Sequence, residues 1–246
     1  MEGRIPIIIP LGNGSWQGKN DELRLLLRSI ERNALDLGEA YLVTDCCPEW
    51  VDGKALTVFR MSDKFTGNKD ACLHRKTLAC IQAFGIGRFC WCADDNLLCK
   101  PMNLSGIPVL HNHRDTGRFY RHPLTKWQQR VKNTLEWAKG RGVELGHHFE
   151  CHCPQVFDGQ ALLEGMKDVD YVSQPGLTIY TAWRVVTDTW RDSQNQLDWK
   201  DTYEMPCTAR DVVLDKSFLG YNDVAFGGIR ERLFKEFPEP SRWEKT

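Results

Sequence analysis

"RFCWCADDNLLCKP", residues 88–101, decides how the chain is read. Residues 88–95 read as a buried strand that ends in two adjacent carboxylates, Asp94 and Asp95. Each of two neighbouring acids makes the other harder to ionise. Such a pair at the end of an apolar strand points to a cation between them, or to a catalytic site.

Working outward, "IPIIIPL" (5–11) predicts a first buried strand, and "GNGSWQG" a glycine-rich loop. In "NDELRLLLRSIERNALDLG", Leu23, Leu26, Leu27 and Ile30 recur at helical spacing. Asn20 or Asp21 would cap that helix, and Gly38 would help to stop it. "EAYLVTD" (39–45) and "ALTVFRM" (55–61) read as strands. Residues 68–85 read as a helix capped by Asn68, with Leu78, Ile81 and Phe84 on its apolar side and Gly85 past its end. This β-α-β-β-α-β alternation predicts an α/β fold, with a mostly parallel, Rossmann-like sheet flanked by helices. Ligands bind such sheets at the carboxyl ends of the strands. That edge carries Leu11, Gly12, Asn13, Asp45, Asp94 and Asp95.

The second half is less regular. Residues 107–111 read as a strand and 125–142 as a helix. Residues 147–166 read as a loop, a short strand and a helix, and 217–244 as a turn, a helix and a proline-rich tail. Without a repeat or a low-complexity linker, 1–246 reads as a single domain. Its two halves are residues 1–103 and 104–246.

Net charge is −1, so no global field draws the chain to nucleic acid or anionic lipid. No stretch is long and apolar enough to span a bilayer, and the opening residues lack a signal-peptide pattern. These features predict a cytoplasmic protein whose ten cysteines are reduced thiols. Cys90/Cys92 and Cys151/Cys153 are spaced C-x-C, unlike the C-x₂-C of structural zinc, and read as core thiols.

"NDELRLLLRSIERNALDLGEAYLVTDCCPEWV", "NKDACLHRK" and "FCWCADDNLLCKP" together resemble the Stealth-type sugar-phosphate transferases, from their second conserved region onward. "CHCPQVFDG" resembles that family's later His-x-Pro segment, and "FLGYNDVAF…FPEPSRWE" resembles tails of related GT-A enzymes. The match covers roughly residues 20–103 well and the rest loosely. Where the family opens with a "TWVDG"-type segment, this chain has "IPIIIPLGNGSW". The resemblance therefore implies the broader class: a GT-A-like transferase that uses a nucleotide sugar, with a UDP-sugar favoured.

In that class a divalent cation, Mn²⁺ or Mg²⁺, neutralises the diphosphate. Asp95 is the expected metal ligand, with Asp94 on the ribose or sugar, since strand alternation sends their side chains in opposite directions. His152 is the candidate third ligand or an ordinary surface histidine, with His147 and His148 weaker candidates. Asp45 would accept from a base N–H or serve as a turn residue. Asn68, Lys69 and Arg75, near a helix start, suit phosphate. Arg24 and Arg28 match arginines of the family, or are surface arginines. Asp223 is the candidate base that deprotonates the acceptor hydroxyl, or a plain helix cap, with Glu150 its rival.

Residues 113–141 hold eight Lys/Arg against two acids, with Phe119, Tyr120, Trp127 and Trp137 interleaved. That composition suits an anionic acceptor, such as modified DNA bases or an acidic glycan, or a basic helix whose Trp rings belong to the core. Hexose-1-phosphate transfer and a binding pseudoenzyme on the same fold are the remaining alternatives.

Overall fold

The computed structural model describes residues 3–12, 19–62, 69–111, 116–120, 123–151, 153–169, 176–194, 202–204 and 214–245. Expectations for Asn13, Asn68 and His152 lie outside them. The central sheet has five strands in the order β3-β2-β1-β4-β6. These are β1 (Ile5–Pro10), β2 (Leu37–Thr44), β3 (Thr57–Arg60), β4 (Arg88–Trp91) and β6 (Gln155–Asp158). The pairs β1/β2, β2/β3 and β1/β4 are parallel, and β6 runs antiparallel to β4. A second sheet, β5-β8-β7, joins β5 (Asn96–Leu98), β7 (Thr202–Glu204) and β8 (Phe218–Gly220).

Alternation along the strands explains the layers. In β1, Ile7 and Ile9 pack on one face of the sheet and Ile8 on the other, all fully buried. The first face is covered by α1 (Asp21–Asn33) and α6 (Asp223–Glu236), through Leu23, Leu26, Ile30, Phe226 and Leu233. The second is covered by α2 (Lys69–Phe84), α4 (Gly159–Met166) and α5 (Ile179–Val186), through Ile81, Leu162 and Trp183. Buried ring nitrogens find partners: Trp91 Nε1 donates to Thr77 Oγ1 at 2.9 Å, and Trp183 Nε1 to His74 Nδ1 at 2.8 Å. α3 (Lys126–Gly140) opens with a capping box between Thr125 and Gln128.

Several sequence expectations are corrected. The fourth strand ends at Trp91, so Asp94 and Asp95 lie in a turn that leads into β5. Asn20 opens α1 in a left-handed conformation (φ 53°) without a side-chain cap. Gly38 does not stop that helix; it lies inside β2, where an added Cβ would stand 2.9 Å from the Ile5 carbonyl carbon. Phe84 is 43% exposed, and its ring rests against Tyr41 and Phe59. Residues 107–111 form no strand, although Ile107 and Leu110 are buried.

The segment after α6 returns to α1. Arg28 grips both Glu244 carboxylate oxygens, at 2.8 and 2.9 Å, and donates to the carbonyls of Phe237 and Pro238. Arg24 lies 3.5 Å from the same carboxylate, and Val51 pairs with Glu244 as an antiparallel bridge. Burial alone would raise the Glu244 carboxyl, but bonds from Arg28 and the Ser241 amide, with the charges of Arg28 and Arg24, hold it below its usual range. Arg24 and Arg28 thus anchor the tail.

Candidate functional site

β1 pairs with β2 on one side and with β4 on the other, so the strand order reverses between β1 and β4. The crevice at the carboxyl ends of two such strands is where open α/β sheets bind ligands. Leu11 and Gly12 follow β1 there, and Asp94 and Asp95 follow β4. Leu11 is fixed by its neighbours: its N–H donates to the Val43 carbonyl at 2.9 Å, and its carbonyl accepts from buried Lys76 Nζ at 2.6 Å.

The acid turn is closed by Asn96, which is buried. Its backbone N–H donates to the Ala93 carbonyl at 3.2 Å, and its side-chain oxygen accepts from the Ala93 N–H at 3.3 Å. Its Nδ2 donates to Asp95 Oδ1 at 2.9 Å, which orients that carboxylate. Both acids are half-buried and share a turn, so strand alternation no longer separates their side chains. Burial, then the charges of Asp95 and Glu22, push the Asp94 carboxyl up to about 7, against a smaller opposing pull from Lys69. Glu22 belongs to the first turn of α1 and is buried. Lys69 opens α2 and is exposed. The helix N-terminus and the ammonium both favour negative charge at this edge.

The small sheet brings the 221–223 segment to the same place. In the β5/β8 ladder Asn96 stands opposite Gly220, so Tyr221 and Asn222 continue past the acid turn. Asn222, not Asp223, caps α6: its side chain accepts from the Ala225 N–H at 2.9 Å. Asp223 is the first residue of that helix, and its backbone lies at the acid-bearing edge. Tyr221 is fully buried, with its ring stacked on Phe226 at 5.2 Å. Its hydroxyl makes no hydrogen bond among the described residues. Burial, then Asp95, Glu22 and Asp94, push this phenol well above its usual range, so it stays a neutral O–H.

Other candidates separate from this group. Asp45 is exposed just beyond β2, where its carbonyl accepts from Arg60 at 3.4 Å. Arg75 lies on α2 about 9 Å along the axis from Lys69. Asp70, next to Lys69, pairs with Arg130 at 3.0 Å. Glu150 accepts from the Thr181 N–H at 2.8 Å and so closes the first turn of α5. His148 is buried against Phe119 and Trp127, and His147 stacks on His111 at 4.4 Å. The C-x-C thiols Cys90, Cys92, Cys151 and Cys153 are buried, and the first two sulfurs lie 3.9 Å apart on one face. In the basic stretch, Phe119 is core, Trp127 and Trp137 are half-buried, and Tyr120 is exposed beneath Lys132.

Sequence reasoning missed Glu22, Asn96 and Tyr221. Glu22 had a signal, because it precedes Leu26 and Ser29 on a buried helical stripe where a carboxylate is out of place. Tyr221 had only its place before an Asn-Asp helix start.

Among the described residues, no group of three or more His, Cys, Asp or Glu is arranged to hold a metal ion. A hard cation that shares its shell with substrate phosphates needs only one or two carboxylates. The Asp94/Asp95 turn supplies two, and the charges of both act on the orphaned Tyr221 hydroxyl. These residues fit Mg²⁺ or Mn²⁺. No protein-family model matches the chain, and a search of curated proteins finds no similar sequence. No helix among the described residues is long and apolar enough to cross a membrane.

Proposed function

We propose that the protein is a GT-A-like glycosyltransferase that moves a sugar from a nucleotide sugar to an acceptor hydroxyl, with Mn²⁺ or Mg²⁺. The observation that carries this reading is the acid pair at the carboxyl end of β4, beside the β1/β4 reversal of strand order. The order β3-β2-β1-β4-β6, with only the last strand antiparallel, supports the GT-A assignment.

In this reading Asp95, oriented by Asn96, and Asp94 hold the cation. The cation, when bound, neutralises the charge that develops on the leaving diphosphate. Lys69 and the first turn of α2 face the phosphates, and Leu11 and Gly12, just past β1, lie beneath the nucleotide. Asp45, beyond β2, accepts from the base, which favours uracil. Asp223 takes the proton of the acceptor hydroxyl.

The test is incubation with a panel of nucleotide sugars and Mn²⁺, reading the released nucleotide. A nucleoside diphosphate supports glycosyl transfer and names the donor. A nucleoside monophosphate means sugar-phosphate transfer instead. Release of neither, with a range of hydroxyl acceptors supplied, refutes the reading.

A further inference from the structure

The Tyr221 hydroxyl is the feature that packing leaves unexplained. The ring cannot swing away, because it is stacked on Phe226 and fully enclosed. Burying a hydroxyl without a hydrogen bond carries a desolvation cost. Phenylalanine would fill the same volume without that cost. In the β5/β8 register Gly220 stands opposite Asn96, so position 221 follows next to the acid turn, and the charge of Glu22 on α1 also acts on the phenol. A buried neutral O–H on which the charges of Asp95, Glu22 and Asp94 all act suits a ligand that carboxylates also bind. A hydrated divalent cation answers that description: its waters donate to carboxylates and can donate to, or accept from, a phenol.

We infer that Tyr221 is a positioning residue for a divalent cation held by Asp94 and Asp95, its hydroxyl bonding a water of that cation's hydration shell. The inference rests on the cation reading above and adds an outer-shell partner to it. Removing such a partner weakens metal affinity by about 10–100-fold without changing the number of sites.

The experiment is Mn²⁺ titration of the full chain, with free Mn²⁺ counted by electron paramagnetic resonance, with and without UDP. Tyr221→Phe should keep one site and bind Mn²⁺ at least about tenfold more weakly. Its urea midpoint should equal or exceed that of the unaltered protein, because an unsatisfied buried hydroxyl has been removed. Phe226→Leu disturbs the same stack but leaves the hydroxyl, and should bind Mn²⁺ normally. An unchanged Mn²⁺ affinity in Tyr221→Phe overturns the inference and leaves the cation reading standing. Equal weakening in Phe226→Leu also overturns it, since packing would then be the cause. No Mn²⁺ binding by the unaltered protein, with or without UDP, overturns both.

Discussion

Asp94 is held at a cost to the fold, and replacing it by asparagine measures that cost. Its carboxyl is raised from 3.8 to about 7, first by burial and then by Asp95 and Glu22. A shift of that size corresponds to a ceiling of about 4 kcal/mol, at roughly 1.4 kcal/mol per unit. Asp94 is only half-buried, and solvent screening brings the expected effect to about 2 kcal/mol. A raised folded-state pKa means that the folded form holds its proton longer than the unfolded form does. The stabilisation is complete below pH about 4 and is lost as pH rises through about 7. Asparagine carries no such titration. Asp94→Asn should therefore gain about 2 kcal/mol relative to the unaltered protein between pH 4 and pH 8. Urea unfolding in EDTA at pH 4.5, 6 and 8 reads this directly. Adding Mn²⁺ at pH 8 should then stabilise the unaltered protein and not the variant. A stability difference between the two that stays constant with pH would refute the electrostatic reasoning.

Asp95→Ala should abolish turnover and metal-dependent nucleotide binding while the circular dichroism spectrum stays native; unchanged turnover removes Asp95 from the mechanism. Glu244→Ala leaves Arg28 without its carboxylate and should cost about 3 kcal/mol in urea unfolding. The Glu244 carboxyl is depressed, so its contribution is present above the unfolded pKa and disappears as pH falls through the lower folded value. The variant's deficit should shrink in acid, and a deficit independent of pH would contradict this account. Gly38→Ala places a Cβ 2.9 Å from the Ile5 carbonyl carbon and should destabilise by about 1–3 kcal/mol, lowering the melting temperature. An unchanged melting temperature would show that β1 and β2 can separate there without penalty.

The first hundred residues were legible because their elements are long and their patterns strong. β1 carries consecutive isoleucines buried on both faces, and α1 repeats leucine at helical spacing. The acid pair stands out in the sequence, but the turn that carries it does not. The strand stops because one side chain, Asn96, satisfies the backbone of Ala93, and periodicity carries no trace of that. β5, β7 and β8 have three residues each, too few to show a period of two. Residues 107–111 failed in the opposite sense: apolar side chains were buried, yet no neighbouring strand took up their backbone. In α5 nearly every residue is buried, so the sequence lacks the polar face that marks a surface helix. Lys69 was placed at the acid edge by its helix start alone, and its charge acts on Asp94. Glu150 looked like a free carboxylate and is bound to the Thr181 amide, a partner 31 residues away.

The bond between Arg28 and Glu244 spans 216 positions. On a ribosome adding roughly 5–20 residues per second, Arg28 waits roughly 10–45 s for its partner. During that interval β5 also lacks β8, and the acid turn lacks Tyr221 and Asp223. The first helix and the site it borders are thus completed late in synthesis. A nascent chain halted before residue 217 would carry the acid pair without the segment that encloses it, exposing an apolar face for chaperones to cover.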